Sequence, residues 1–250
     1  MKPAHSQKKI AAPYTWVQLS NGERISESIQ MRLDEWSPKL FGYHMLKLGG
    51  LSCELATHMC NIQHQVRVDD SNPLHNVIAN SYQLPFLEKS FDAVILAHQL
   101  DYCDDPHRLL REVDRVMMDD GYLVISGFNP ISLLGLSSFL PWRKKNLPWS
   151  GRMFTPSRVK DWLGVLNYEI VDCDCYGLFP MTRYLTLGMW VENLFGHWGS
   201  SFGSTYFIVA RKRTYPLKPI KPHWKLKRSL SPMSVNYRVS KSTPFKALKK

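Results

Sequence analysis

Apolar spacing changes character several times along this chain, and each change marks an element. Ile25, Ile29, Leu33, Trp36 and then Leu40 recur every three or four positions, which predicts a helix over 22–36 with one buried stripe. Asn21 stands at the capping position, and Pro38 forces an end near Ser37. Residues 43–48 read as a short apolar strand, running through Gly49 and Gly50 into a predicted helix over 51–60 that buries Leu51, Leu55 and Met59. Residues 65–68 read as a second strand ending at Asp69 and Asp70, and Ser71-Asn72-Pro73 is turn chemistry. Residues 77–79 make a third strand, and FDAVILA (91–97) is the apolar run of a strand covered on both faces.

The second half continues the alternation. Asp104 or Asp105 caps a helix that starts with Pro106 and turns Leu109, Leu110, Val113, Val116 and Met117 inward. Asp119-Asp120-Gly121 turns into the strand 122–127. Thr155-Pro156 opens a helix through Leu166, residues 168–176 alternate as a strand, and TYFIVA (205–210) is the last strand. Strands alternating with helices predict an α/β fold: a mostly parallel sheet, helices on both faces, and an antiparallel strand at one edge. Ligands of such sheets sit beyond the carboxyl ends of the strands, near the reversal in strand order.

Charge divides the chain. Of its 32 basic side chains, 13 lie from Arg211 onward, where there is no acid; the preceding 210 residues hold the other 19 and all 21 acids. The body is therefore near neutral, and the +11 net charge belongs to a tail. Five prolines and no apolar periodicity predict disorder over 211–250, with weak RNA or anionic-lipid contact through its basic residues. Five cysteines, none in a CxxC pair or with zinc spacing, read as reduced thiols. The opening MKPAHSQKKIAAPYTW lacks the apolar run of a signal peptide, and no segment has membrane-spanning character. These features set the expectation of a cytoplasmic location. The expected organisation is an N-terminal extension and first helix (1–40), a catalytic-type domain (41–210) and the tail. Residues 128–154 and 177–200 would be lid or substrate-side insertions.

The block 77–130 carries a specific pattern. It contains Leu84-Pro85-Phe86, Ser90-Phe91-Asp92, Asp105-Pro106, Arg111-Glu112 and Arg115-Val116 in that order. It resembles the type-11 branch of the class I S-adenosylmethionine-dependent methyltransferases over some fifty contiguous residues. The resemblance implies a Rossmann-like methyltransferase sheet and S-adenosyl-L-methionine as cofactor. It places Lys47, Gly49 and Gly50 at the cofactor's amino-acid end, and Asp69 or Asp70 at the ribose. Asn80 and Ser81 fall at the adenine, with Ala97 at the end of the strand beside it. Lys47 stands where the family has an acid, and Asn80 takes the place of another.

His98, Asp101 and Tyr102 follow the fourth predicted strand, where cofactor and acceptor meet in this fold. A histidine there suits proton removal near neutral pH. The function implied is methyl transfer to a small-molecule acceptor. Two alternatives remain: a chain with this fold that has lost cofactor binding, and an RNA methyltransferase anchored by its tail.

Overall fold

An uninterrupted apolar strand needs cover on both faces, and FDAVILA finds it at the centre of a sheet. The computed structural model describes residues 12–70, 77–132, 147, 150–177 and 203–214, and in it this run is β4 (Phe91–Ala97). To one side lie β1 (His44–Leu48), β2 (His64–Asp69) and β3 (Val77–Ile78). To the other lie β5 (Met117–Phe128), then β7 (Thr205–Lys212), then β6 (Tyr168–Tyr176) at the edge. The strand order is 3-2-1-4-5-7-6. β1 to β5 pair in parallel, and β7 runs antiparallel to both its neighbours. The expected α/β sheet is present, with its reversed strand one place in from the edge. The order reverses between β1 and β4, which makes the crevice beyond their ends the switch point.

Side-chain alternation splits the core in two. On one face Leu46, Leu48, Val94 and Leu96 pack with Leu109, Leu110 and Val113 of α4 (Pro106–Val116) and with Val159 and Leu163 of α5 (Pro156–Val165). On the other, Met45, Ile95 and Ala97 pack with Ile25, Ile29 and Leu33 of α1 (Gly22–Trp36), and with Trp16 from the segment before it. Each such aliphatic side chain, fully buried, contributes about 2 kcal/mol. Two short helices, α2 (Gly50–Glu54) and α3 (Gln99–Tyr102), follow β1 and β4 directly.

The local chemistry sets the boundaries. Asp105 caps α4 by accepting from His107 N and Arg108 N, and Thr155 caps α5 by accepting from Arg158 N. Asn21 adopts φ 57° at the start of α1 and makes no side-chain capping bond. The helix expected over 51–60 stops at Glu54, and Met59 is exposed. The cause is Lys47, whose Nζ donates to the Leu55 carbonyl, the oxygen a longer helix would offer to residue 59. Asp119-Asp120-Gly121 is a bulge inside β5, where the partner of β4 jumps from Met117 to Tyr122. β7 runs on to Lys212, so the first basic residues of the expected tail belong to the sheet. Arg211, Lys212 and Arg213 pair there with Asp120, Asp114 and Glu169. The rest of the tail, most of 128–154 and nearly all of 177–200 lie outside the described residues.

Candidate cofactor crevice and a buried histidine–aspartate pair

The turn after β1 is held from both sides. Gly49 N donates to Val68 O at 2.8 Å, and Ser52 Oγ accepts from Ala97 N at 2.7 Å, which ties the turn to β2 and β4. Gly49 has φ 90°, a conformation that favours glycine, and a Cβ there would collide with the side-chain amide of Gln99. From the end of β4, Gln99 reaches across Gly49 to Ser81 Oγ, 3.4 Å away. Gln99 therefore spans the crevice from β1 to the loop after β3. Nothing in its sequence context marks it, because the contact exists only once β4 lies beside β1.

Gly50 differs. The position of its Cβ is blocked by the Tyr14 backbone, 2.6 Å from the carbonyl oxygen. The segment carrying Tyr14 is anchored by Trp16, whose indole donates to Leu51 O at 3.1 Å and whose N–H donates to Glu54 Oε2 at 3.0 Å. The two glycines thus serve separate ends. Gly49 clears space closed only by a flexible side chain, and Gly50 lets the N-terminal segment lie on α2.

The acids separate as well. Asp69 ends β2 and is 6% exposed, whereas Asp70 is solvent-exposed. Asn80 is exposed, and its Oδ1 accepts from Tyr82 N at 2.8 Å, a bond within its own turn. Ala97 is buried in the α1-side core and offers backbone alone to the crevice. Lys47 is not gathered with these groups. Its side chain is buried on the α1 face, with its amine on Leu55 O at 2.8 Å. Burial, reinforced by the charge of Arg67, lowers its pKa from the ordinary lysine value to about 8.

His98 and Asp101 form a pair with neither side chain exposed: His98 Nδ1 lies 2.9 Å from Asp101 Oδ2. The same oxygen accepts from Phe128 N at 2.9 Å. The His98 ring lies 4.0 Å from the Phe128 ring and 5.7 Å, edge-on, from Trp16. Burial raises the Asp101 pKa against the opposing pull of His98 and of the Phe128 amide. Tyr102 is buried beside them, its phenol driven well above the ordinary range by desolvation. Phe154, from the expected substrate-side insertion, packs into the α4/α5 core against Trp162 instead. Phe139, Trp142, Trp149 and the run 143–145 lie outside the described residues.

Comparison with known proteins fits this geometry. Residues 47–125 match the type-11 family described as "Methyltransferase domain". The chain is 42% identical over 217 residues to the uncharacterised protein YafS of Escherichia coli (strain K12), spanning 87% of this chain and 88% of that one. A crystal structure of a SAM-dependent methyltransferase from Archaeoglobus fulgidus has the same fold, with a TM-score of 0.53 and 21% identity over 75% of this chain and 94% of its own. Residues 47–125 thus carry a type-11 methyltransferase domain on the class I methyltransferase fold. The chain is also 32% identical over 107 residues to a demethylmenaquinone methyltransferase of Thermobifida fusca, covering 42% of this chain and 45% of that one. No helix among the described residues is long and apolar enough to cross a membrane.

The crevice fits the cofactor implied by the family. A glycine whose open side is closed only by a movable amide admits a ligand against backbone. A buried carboxylate one residue beyond the Gly49–Val68 hydrogen bond suits a pair of ribose hydroxyls.

Proposed function

We propose that the protein transfers a methyl group from S-adenosyl-L-methionine to a small-molecule acceptor at the crevice between β1 and β4. The observation that carries this reading is Gly49: a positive-φ glycine at the switch point, covered only by the movable amide of Gln99 and flanked by the end of β2. Asp69 would accept from the ribose hydroxyls. Ser81, with Asn80 beside it, would meet the adenine, and Gln99 would yield its place over Gly49. The cofactor, when bound, supplies a sulfonium whose methyl carbon is open to displacement. The chain's own task is to align the acceptor with that carbon and exclude water. A small acceptor is supported by the name of the Thermobifida fusca relative, a demethylmenaquinone methyltransferase.

A second reading, a methyltransferase fold without cofactor binding, is favoured by Tyr14. Its backbone covers Gly50 and cannot move as a side chain can. Calorimetric titration with S-adenosylmethionine and S-adenosylhomocysteine separates the two. Saturable binding of both supports the enzyme. No heat at millimolar ligand, a binding free energy weaker than about −4 kcal/mol, supports the second reading.

A further inference from the structure

Lys47 is a buried cation with no acid to answer it. It is 1% exposed, and the Leu55 carbonyl engages one of its three N–H donors. Burying a charge without a partner of opposite sign is costly. The charged side chain that acts on Lys47 is another cation, Arg67, and no carboxylate reaches it. The stretches outside the described residues hold a single acid, Glu192.

Lys47 and Arg67 are partners in the β1–β2 register. Neighbouring strands lie about 4.8 Å apart, and paired residues send their side chains to the same face, so the two cations rise side by side. Like charges so placed repel each other unless an anion lies between them. They line a cavity of about 270 Å³ on the α1 face, together with Glu54, Thr57, His58 and Gln65. It shares no residue with the crevice around Gly49, Asp69, Ser81 and Gln99. The early end of α2 makes it: residues 55–58, which would have continued the helix, form part of its wall. Thr57 Oγ1 donates to Gln65 Oε1 at 2.6 Å and Gln65 Nε2 donates to Ile62 O at 3.1 Å, so these two satisfy each other as a neutral side of the cavity. Glu54, the one acid of the lining, accepts from Trp16 N through Oε2. Arg67 is exposed and makes no hydrogen bond or ion pair among the described residues.

We propose that this cavity binds a phosphate group between Lys47 at its floor and Arg67 at its rim, as the free ion or as the monoester end of a small molecule. The ammonium has two N–H donors left, and the guanidinium is a fork that matches two phosphate oxygens. His58, exposed beside them, has a ring N–H to add. Two cations with no acid between them balance a dianion, which a phosphate supplies and a carboxylate does not. The site goes beyond the methyltransferase reading and does not depend on it.

The test is calorimetric titration of the full-length chain with inorganic phosphate and with glycerol phosphate, at pH 7 in a zwitterionic buffer of constant ionic strength. Acetate is the comparison anion. Lys47 is mostly charged at that pH, since its pKa is about 8. The ten basic residues beyond Thr214 attract phosphate diffusely, and they are the same in every variant. The expected result is one saturable phosphate site that weakens at least about tenfold in Arg67→Ala and disappears in Lys47→Met, with acetate weaker than phosphate by a similar factor. If Lys47→Met does not fold, Arg67→Ala decides, because an exposed side chain leaves no gap in the core. Arg24→Ala, which removes an exposed cation of α1, should leave the affinity unchanged. Glycerol phosphate binding as tightly as phosphate identifies a monoester as the ligand, and binding of inorganic phosphate alone identifies the free ion; both support the site. Equal affinity in Arg67→Ala and the native chain, acetate matching phosphate, or no saturable binding overturns it.

Discussion

Gly49, Asp69 and Lys47 carry the residue-scale account, and each makes a measurable difference. Gly49→Ala places a side chain where Gln99 lies and imposes a backbone strain of about 1–3 kcal/mol, because φ 90° with ψ 151° is a conformation essentially reserved to glycine. The expected result is a folded protein whose affinity for S-adenosylhomocysteine falls at least about tenfold; unchanged affinity would remove Gly49 from the site. Asp69→Asn should weaken binding by about 1.5–3 kcal/mol, the worth of a hydrogen bond to a charged group. Asp70→Asn should change little, since Asp70 is exposed. Equal losses in the two variants would contradict the assignment. The sequence could not choose between these neighbours because they differ only in face, and a face exists only after β2 ends at a definite residue. Gln99 and Trp16 were illegible for a related reason. Gln99 meets Gly49 and Trp16 meets Leu51 across long stretches of chain, with no motif at either end.

Lys47 was legible as an oddity but not in its role. A lysine in place of an acid invites a ligand-charge explanation; the structure gives it the carbonyl of Leu55 instead. Its pKa of about 8 lies below the ordinary 10.5, so between those values the unfolded chain holds more protons than the folded one. Stability attributable to Lys47 therefore rises with pH through this window and is reduced below it. Urea denaturation of Lys47→Met and the native protein should show their difference shifting by about 1 kcal/mol toward the native protein between pH 7 and pH 9. A constant difference would contradict the buried-amine account.

At the scale of elements, prediction succeeded where one segment determines its own state. The stripe of α1, the double-faced run of β4 and the starts of α4 and α5 are local signals, and the structure contains all of them; of Asp104 and Asp105 it is Asp105 that caps α4, while Asn21 makes no capping bond to α1. Asp105→Ala should cost about 1 kcal/mol in denaturant unfolding, since it leaves two N-terminal amides of α4 without their acceptor. No loss would mean water replaces the cap at no cost. Prediction failed at α2, where a distant lysine takes the carbonyl that would have extended the helix. It failed again at Asp119-Asp120-Gly121, where pairing with β4 absorbs a turn into a bulge. Both failures come from tertiary contacts overriding local preference.

For the whole molecule, the alternation of elements predicts a mostly parallel sheet, but the strand order and the place of the reversed strand, one in from the edge, exist only in the pairing of distant segments. The excess charge is a separate matter. Arg211, Lys212 and Arg213 are ion-paired in the sheet, so ten of the thirteen clustered basic residues remain to act beyond it. If those ten anchor RNA, truncation after Thr214 should lower RNA affinity and flatten its salt dependence, as loss of phosphate contacts requires. An unchanged salt slope would remove the tail from that role. The central claim concerns the crevice itself, and calorimetric titration of the full chain with S-adenosylhomocysteine tests it most directly. The account predicts one saturable site that weakens in Gly49→Ala and in Asp69→Asn and is indifferent to Asp70→Asn. Absence of binding at millimolar ligand, or binding that ignores Gly49 and Asp69, would contradict it.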